Sequence, residues 1–215
     1  AGGGYTLVAT TASVAPDTSA AFDVAAGPAA RLIFSVHPAT TSAGSPIAPA
    51  IVVTAQDSFG NTATSFAGDV TIAVGVNPGG GSLLGTTSVA AAAGVARFTD
   101  LTLGQVGIGY TLVATAGSLT PATSATFDVT AAAPAHLGFV TQPTTTTAGD
   151  PITVVVGVRD TLGNPVTTFD GAVTIVLGTN PGGATLSGSG IAAAVSGVAT
   201  FTDLRVDQAG TGYTL

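Results

Sequence analysis

Apolar and polar residues alternate strictly at several places along the chain. Val70, Ile72, Val74 and Val76 fall on one face with Thr71, Ala73 and Gly75 on the other, and Val173, Ile175 and Leu177 oppose Thr174, Val176 and Gly178. A period of two puts successive side chains on opposite sides of an extended chain, so each run predicts a half-buried strand. Residues 32–36, 51–57, 95–101, 110–115 and 125–130 read the same way, each bounded by Gly, Pro, Asn or Asp. Only residues 90–93 have helix propensity, and a single turn does not sustain a helix. About seven short antiparallel strands in roughly 100 residues, with turn signals at regular spacing, predict an all-β chain of β-sandwich modules.

The pattern repeats. Gly4-Tyr5-Thr6-Leu7 returns as Gly109-Tyr110-Thr111-Leu112 and as Gly212-Tyr213-Thr214-Leu215, so the tyrosines recur after 105 residues (5 to 110) and then 103 (110 to 213). An interval of this size is that of an autonomous domain rather than of a solenoid unit. Ala21-Phe22-Asp23-Val24 matches Thr126-Phe127-Asp128-Val129, and the turn Asn77-Pro78-Gly79-Gly80 matches Asn180-Pro181-Gly182-Gly183. The length change falls at Ala48-Pro49, which has no counterpart after Ile152.

Composition narrows the function classes. Of 215 residues only 4 are Lys or Arg and 11 Asp or Glu, all of them Arg and Asp, against the roughly 25% charged residues of an ordinary soluble domain. A surface built from Thr, Ser, Gly and Ala predicts cover by neighbouring modules or by glycan. The net charge of −7 argues against nucleic acid and anionic membrane as partners, since both recruit Lys/Arg clusters. Absence of Cys excludes disulfides and thiol chemistry, and absence of Lys excludes a Lys–Asn isopeptide cross-link. No apolar run reaches the length of a membrane span. The chain opens at Ala1 without Met or an export signal, so any such signal is expected to have been removed or to lie outside this sequence.

Three segments together resemble the bacterial Ig-like tandem repeats of invasin- and intimin-like surface proteins. They are the Asp-x-x-Gly-Asn turn after a Val-rich strand (Asp57 to Asn61 and Asp160 to Asn164), the Gly-Val-Ala-x-Phe-x-Asp-Leu strand (Gly94 to Leu101 and Gly197 to Leu204), and the closing Gly-Tyr-Thr-Leu. The resemblance spans nearly the whole chain. It implies tandem Ig-like antiparallel β-sandwich modules, an extracellular or cell-surface location, a stalk or adhesive role, and no catalytic residues.

The repeat has a phase. A full module over residues 28–130 leaves 1–27 as the last two strands of a preceding module, and 133–215 as a module lacking those strands. Tyr5, Leu7, Phe22 and Val24 are then expected to face a core that their own segment does not supply, and Tyr213 and Leu215 mark where the other end breaks off. At ~1.5–3 kcal/mol per fully buried side chain the first four represent on the order of 6–12 kcal/mol gross, comparable to the ~5–15 kcal/mol net stability of a domain. A lone hairpin is marginal, so 1–27 are not expected to stay ordered alone. Two arrangements satisfy this: a window on one long array of modules, or separate subunits joined head to tail, each donating its N-terminal hairpin to the next. The partners expected are copies of itself or adjoining modules. An adhesin whose modules bind a surface or carbohydrate ligand is the alternative.

Other candidate sites have plainer readings. Asp57, Asn61, Asp160 and Asn164 could ligate Ca²⁺, but six or more oxygens are needed, and an Asp-capped turn with Gly-Asn at positive φ accounts for them. Asp100 and Asp203 read as edge or turn residues. His37 and His136 stand at different phases of the repeat and lack an acid–base partner or nucleophile, so both read as solvated strand-edge residues. The Asn-Pro-Gly-Gly segments lack the Lys-Ser/Thr of a phosphate loop and read as tight turns. The tyrosines read as core residues with a hydrogen-bonded hydroxyl. Thr144, Thr145, Thr146 and Thr147, like Thr40-Thr41-Ser42, are candidates for O-glycosylation; no Asn-x-Ser/Thr triplet occurs. No catalytic residue, metal site or cofactor is expected.

Overall fold

A computed structural model describes residues 1–215. Every regular element is a β-strand, the ladders between strands are antiparallel with a parallel bridge from Arg31 to Thr120, and no helix is present that could cross a membrane. The chain divides into two units, Ala1–Thr41 with Ser45–Val129, and Ser42–Gly44 with Thr130–Leu215.

In the first unit one sheet has the order Ser88–Ala90, Asp69–Val74, Leu112–Thr115, Ala122–Thr123, and another the order Val95–Phe98, Ile51–Gln56, Arg31–Val36. Their buried residues include Leu32, Phe34, Ile51, Val53, Ile72, Phe98 and Leu112. This arrangement is consistent with a β-sandwich. The second unit has a sheet in the order His136–Thr141, Ile152–Arg159, Val198–Val206, Leu186–Ser187, and a separate pair, Ala172–Thr174 with Ile191–Ala193. Its core gathers Val154, Val156, Ile175, Ala199, Phe201 and Leu204.

The alternation read from sequence holds in part. Val70 and Ile72 are buried and Val74 is half-buried, but Val76 is exposed and the strand ends at Val74. There the N–H groups of Gly75 and Val76 both turn to Thr111, donating to its carbonyl and to its hydroxyl at 2.8 Å each, so the ladder loses its regular spacing. The Ile51–Gln56 strand departs the other way: its first five residues are all buried, and it is the central strand of three, with the Thr54 hydroxyl 2.9 Å from that of Ser35 on the neighbouring strand. The stretch weighed for helix propensity, residues 90–93, is not helical: Ala90 ends the strand Ser88–Ala90, Ala92 bridges to Val95, and between them lies a two-residue turn in which Ala93 and Gly94 both have positive φ, 49° and 80°. Ser196 and Gly197 repeat that turn with φ of 51° and 76°, the geometry that matches the twist of a hairpin.

Candidate assembly edge

Residues 107–129 of the first unit form one long bent hairpin. Its first half pairs Gly107–Tyr110 with Phe127–Thr130, and its second half pairs Leu112–Thr115 with Ala122–Thr123. The bend is a bulge at Gly109, whose φ of 83° a residue with a side chain adopts only at a cost. Asp128 Oδ1 accepts the Gly109 N–H at 2.8 Å, and Ser124 Oγ accepts the Leu112 N–H at 2.9 Å while donating to the Ala125 carbonyl at 2.7 Å. Leu112–Thr115 then runs along the free edge of Asp69–Val74 in the register Leu112↔Val74, Val113↔Ala73, Ala114↔Ile72. This hairpin closes the core: Tyr110 and Leu112 are 0% exposed, and the Tyr110 hydroxyl donates to the Gln105 carbonyl at 2.8 Å. Gly79 of the Asn-Pro-Gly-Gly turn lies against that hydroxyl, where a Cβ would collide with it and with the Val106 carbonyl.

Residues 2–24 reproduce the hairpin's registers and its Asp and Ser hydrogen bonds. The registers Gly2↔Val24 and Tyr5↔Phe22 stand for Gly107↔Val129 and Tyr110↔Phe127. Asp23 Oδ1 accepts the Gly4 N–H at 2.8 Å, Ser19 Oγ accepts the Leu7 N–H at 3.0 Å, and Gly4 has φ of 73°. The ring centroids of Tyr5 and Phe22 are 6.1 Å apart, against 5.9 Å for Tyr110 and Phe127. The segment thus forms paired strands. Its surroundings differ: Tyr5 is 48% and Leu7 66% exposed, and Phe22 and Val24 are exposed as well. All residues from 1 to 25 are exposed.

The second unit presents the complementary situation. Gly178 N–H donates to the Thr214 carbonyl at 2.8 Å and Thr179 N–H to the Thr214 hydroxyl at 2.7 Å, repeating the contacts of Gly75 and Val76 with Thr111. Tyr213 donates its hydroxyl to the Gln208 carbonyl at 3.1 Å. The edge of Ala172–Thr174 that faces away from Ile191–Ala193 carries no strand, whereas Asp69–Val74 is paired on both edges. A cleft of about 600 Å³ lies between the threonine run 144–147, Leu177, Tyr213 and Leu215. A smaller hollow of about 170 Å³ is lined by Leu137, Phe139, Ile175, Val176 and Leu215. Leu137 is 53% exposed here, while its counterpart Leu32 is 3% exposed.

The other candidates resolve as follows. Asp57 and Asp160 are buried caps. Asp57 Oδ1 accepts the N–H groups of Phe59 and Asn61 at 2.9 Å each, and Oδ2 accepts Asn61 Nδ2 at 3.0 Å and the Gly27 N–H at 2.9 Å. The Asn61 side chain, followed by these backbone donors, holds the Asp57 carboxyl far below the usual carboxylate range against the opposing effect of burial. At Asp160 burial is the largest influence and favours the neutral form, but hydrogen bonds from Asn164, Ala132 and Leu162 outweigh it and lower the pKa. Positive φ is confined to Gly60 and Gly163; Asn61 and Asn164 act instead through their side-chain amides. No group of three or more acidic or histidine side chains gathers as a metal cage would require. Asp100 and Asp203 bind the N–H and hydroxyl of Thr86 and Ser189, and these bonds lower both pKa values. His37 is exposed but engaged: its Nδ1 accepts the Ala125 N–H at 2.9 Å and its ring stacks on Phe34. His136 opens an exposed strand end. Thr144 to Thr147 are all exposed.

Sequence reasoning named the aromatic residues of the hairpin but missed the polar ones that shape it, Asp23, Asp128, Ser19 and Ser124. Their signal was present in the conserved spacing of Phe-Asp-Val after Gly-Tyr-Thr-Leu within the repeat. It also missed that Asp57 and Asp160 hold the segments leading into each β assembly, through Gly27 and Ala132.

No known protein-family profile and no curated protein matches the chain. Solved structures that resemble it include a β-glycosidase from Bacteroides vulgatus, at 14% identity and TM-score 0.33, covering 83% of this chain and 22% of that one. Domains 5–6 of the S-layer protein SbsC align at 16% identity and TM-score 0.29, covering 84% of this chain and 92% of that one. β-Glucuronidase 3 from Bacteroides uniformis aligns at 14% identity and TM-score 0.26, covering 80% and 21%. The chain spans less than a quarter of the two glycosidases. Likeness at this level assigns neither a family nor an activity.

Proposed function

We propose that the chain is a structural component of an extracellular filament or stalk built from Ig-like β-sandwich modules, extending as one array or by head-to-tail joining. One observation carries the reading. The same hairpin, with the same registers and the same Asp and Ser hydrogen bonds, closes a core at residues 107–129 and stands solvent-exposed at 2–24. A fold unit that recurs at domain spacing and leaves a core-forming face uncovered is built to be continued. The scarcity of charge supports the same conclusion, since a Thr/Ser/Gly/Ala surface is suited to being covered. Glycan on the exposed Thr144 to Thr147 would add to that cover, and an intact mass equal to the bare 20.4 kDa would remove it from this picture.

Electron microscopy of native material, with a denaturing gel of the same sample, tests the reading. Fibres of uniform width with a repeat of one module are expected. Dispersed compact particles would overturn it. The gel separates the two forms of the proposal, a band near the calculated mass indicating discrete subunits and a far larger species indicating a continuous array.

A further inference from the structure

We infer that Asp170-Gly171 is a self-modification site, at which the folded chain converts Asp170 to isoaspartate through a succinimide. Asp170 is the one aspartate in this sequence that precedes a glycine. The fold imposes that glycine. The Phe66 ring lies over Gly68 in the first unit and the Phe169 ring over Gly171 in the second, where a Cβ would stand 2.9 and 2.6 Å from the ring Cζ. A side chain at either position would push the ring aside, so the close approach needs glycine. The residue between ring and glycine is under no such constraint. It is Ala67 in the first unit and Asp170 in the second, and both are exposed. Because Ala67 is exposed in a unit whose core is closed, the exposure of Asp170 belongs to the turn itself and not to the uncovered edge. The inference goes beyond the filament reading and does not depend on it.

Both reacting groups are free while their surroundings are held. The Phe169 carbonyl accepts the Gly197 N–H at 3.0 Å, and the Gly171 carbonyl accepts the Ala194 N–H at 2.9 Å. The reciprocal bond from the Gly171 N–H is not made, and the ladder with Ile191–Ala193 begins only at Ala172. The Asp170 carboxyl has no hydrogen-bond or ion-pair partner either. Other aspartates of the second unit are engaged: Asp160 accepts from Ala132, Leu162 and Asn164, and Asp203 from Ser189. A carboxyl bound in this way cannot turn toward the next amide without losing its donors.

The chemistry needs only water. The Gly171 nitrogen attacks Cγ of the protonated Asp170 carboxyl; a C–N bond forms, the Cγ–OH bond breaks, and the nitrogen's proton leaves with that oxygen as water. The product is a five-membered cyclic imide. Water then adds to one of its two carbonyl carbons and breaks the bond from that carbon to nitrogen. Addition at Cγ restores aspartate. Addition at the main-chain carbonyl carbon leaves Cγ bonded to Gly171 and an α-carboxylate free, which is isoaspartate. The mass is unchanged, but one carboxyl oxygen has been exchanged with solvent. The main chain gains one atom just ahead of Ala172–Thr174, between the two carbonyls that bind Ala194 and Gly197.

Incubating the folded chain in ¹⁸O-labelled water at neutral pH, then digesting it in ordinary water, tests the inference. Cleavage after arginine releases residues 160–205, which contain Asp160, Asp170 and Asp203. Tandem mass spectrometry is expected to find the label at residue 170 and neither of the other two, and an isoaspartyl methyltransferase should methylate the same fragment. The rate carries the structural claim. Labelling of the folded chain is expected within about a hundredfold of that of a synthetic peptide of residues 166–174, whereas a site reached only through global unfolding would be slower by about 10³ or more. Asp170→Ala places in the second unit the residue found in the first, and it should abolish label and methylation while leaving the melting temperature unchanged. Slowing beyond a hundredfold, label at Asp160 or Asp203 equal to that at Asp170, or methylation that persists in Asp170→Ala would each overturn the inference.

Discussion

Asp160 is a carboxylate with almost no solvent contact, kept charged by the N–H groups of Ala132, Leu162 and Asn164 and the Asn164 amide. Such a group is stable only while its donors stay in place. Asn164→Ala removes the side-chain donor, and the loss expected is about 1.5–3 kcal/mol, the range for a hydrogen bond to a charged group, read from urea denaturation. Asp57 and Asp160 also set a pH dependence. Their folded-state pKa values lie below the ordinary carboxylate value, so the folded chain binds protons less readily than the unfolded one. The stability they confer is fully present above pH ~4 and declines as pH falls toward their folded values. Melting temperatures measured from neutral pH downward should fall in that acid range, and the fall should be shallower in Asp160→Asn. The turn at Ala93 offers a gain of the opposite kind. An L-residue with a Cβ at φ of 49° is strained, and Asn-Gly is the preferred pair for this geometry. Ala93→Asn should therefore stabilise the first unit by about 0.5–1 kcal/mol, seen as a higher urea midpoint with unchanged slope.

At the scale of the element, the two hairpins are a natural control experiment. Phe127 is 4% exposed and Phe22 43%, although each sits in the same strand register against its tyrosine. Truncating a buried aromatic costs about 3–5 kcal/mol, whereas an exposed one is within roughly 0.5 kcal/mol of neutral. Phe127→Ala should lower the stability of a dilute chain by the first amount and Phe22→Ala by the second; equal effects on denaturation would show that both hairpins are packed. The hairpin's aromatic positions were legible in the sequence because they repeat with the same spacing. Its bulge was not, because a glycine in an alternating run looks like any small polar-face residue until its φ is known. The strand at Ile51 was read from the sequence, but the burial of its first five residues in succession was not, because it depends on the strands that flank it.

For the whole molecule the difference between complete and open edges should appear in dynamics. Backbone amides of Arg31–Val36 lie in a unit whose core is closed, while those of His136–Thr141 lie over the hollow lined by Leu137 and Phe139. Hydrogen exchange in dilute solution should protect the first strand more than the second and should leave residues 2–24 least protected. Protection of His136–Thr141 equal to that of Arg31–Val36 would count against an open edge. The sequence by itself determined the all-β character and the domain-length spacing of the repeated segments, because these depend on local alternation and on repetition that distance in space does not alter. Tertiary structure alone decided which copy of the Tyr-Leu-Phe-Val set is buried and which is not. Burial depends on what lies across the sheet, and the corresponding segments at 2–24 and 107–129 share their registers and their Asp and Ser hydrogen bonds but have different neighbours.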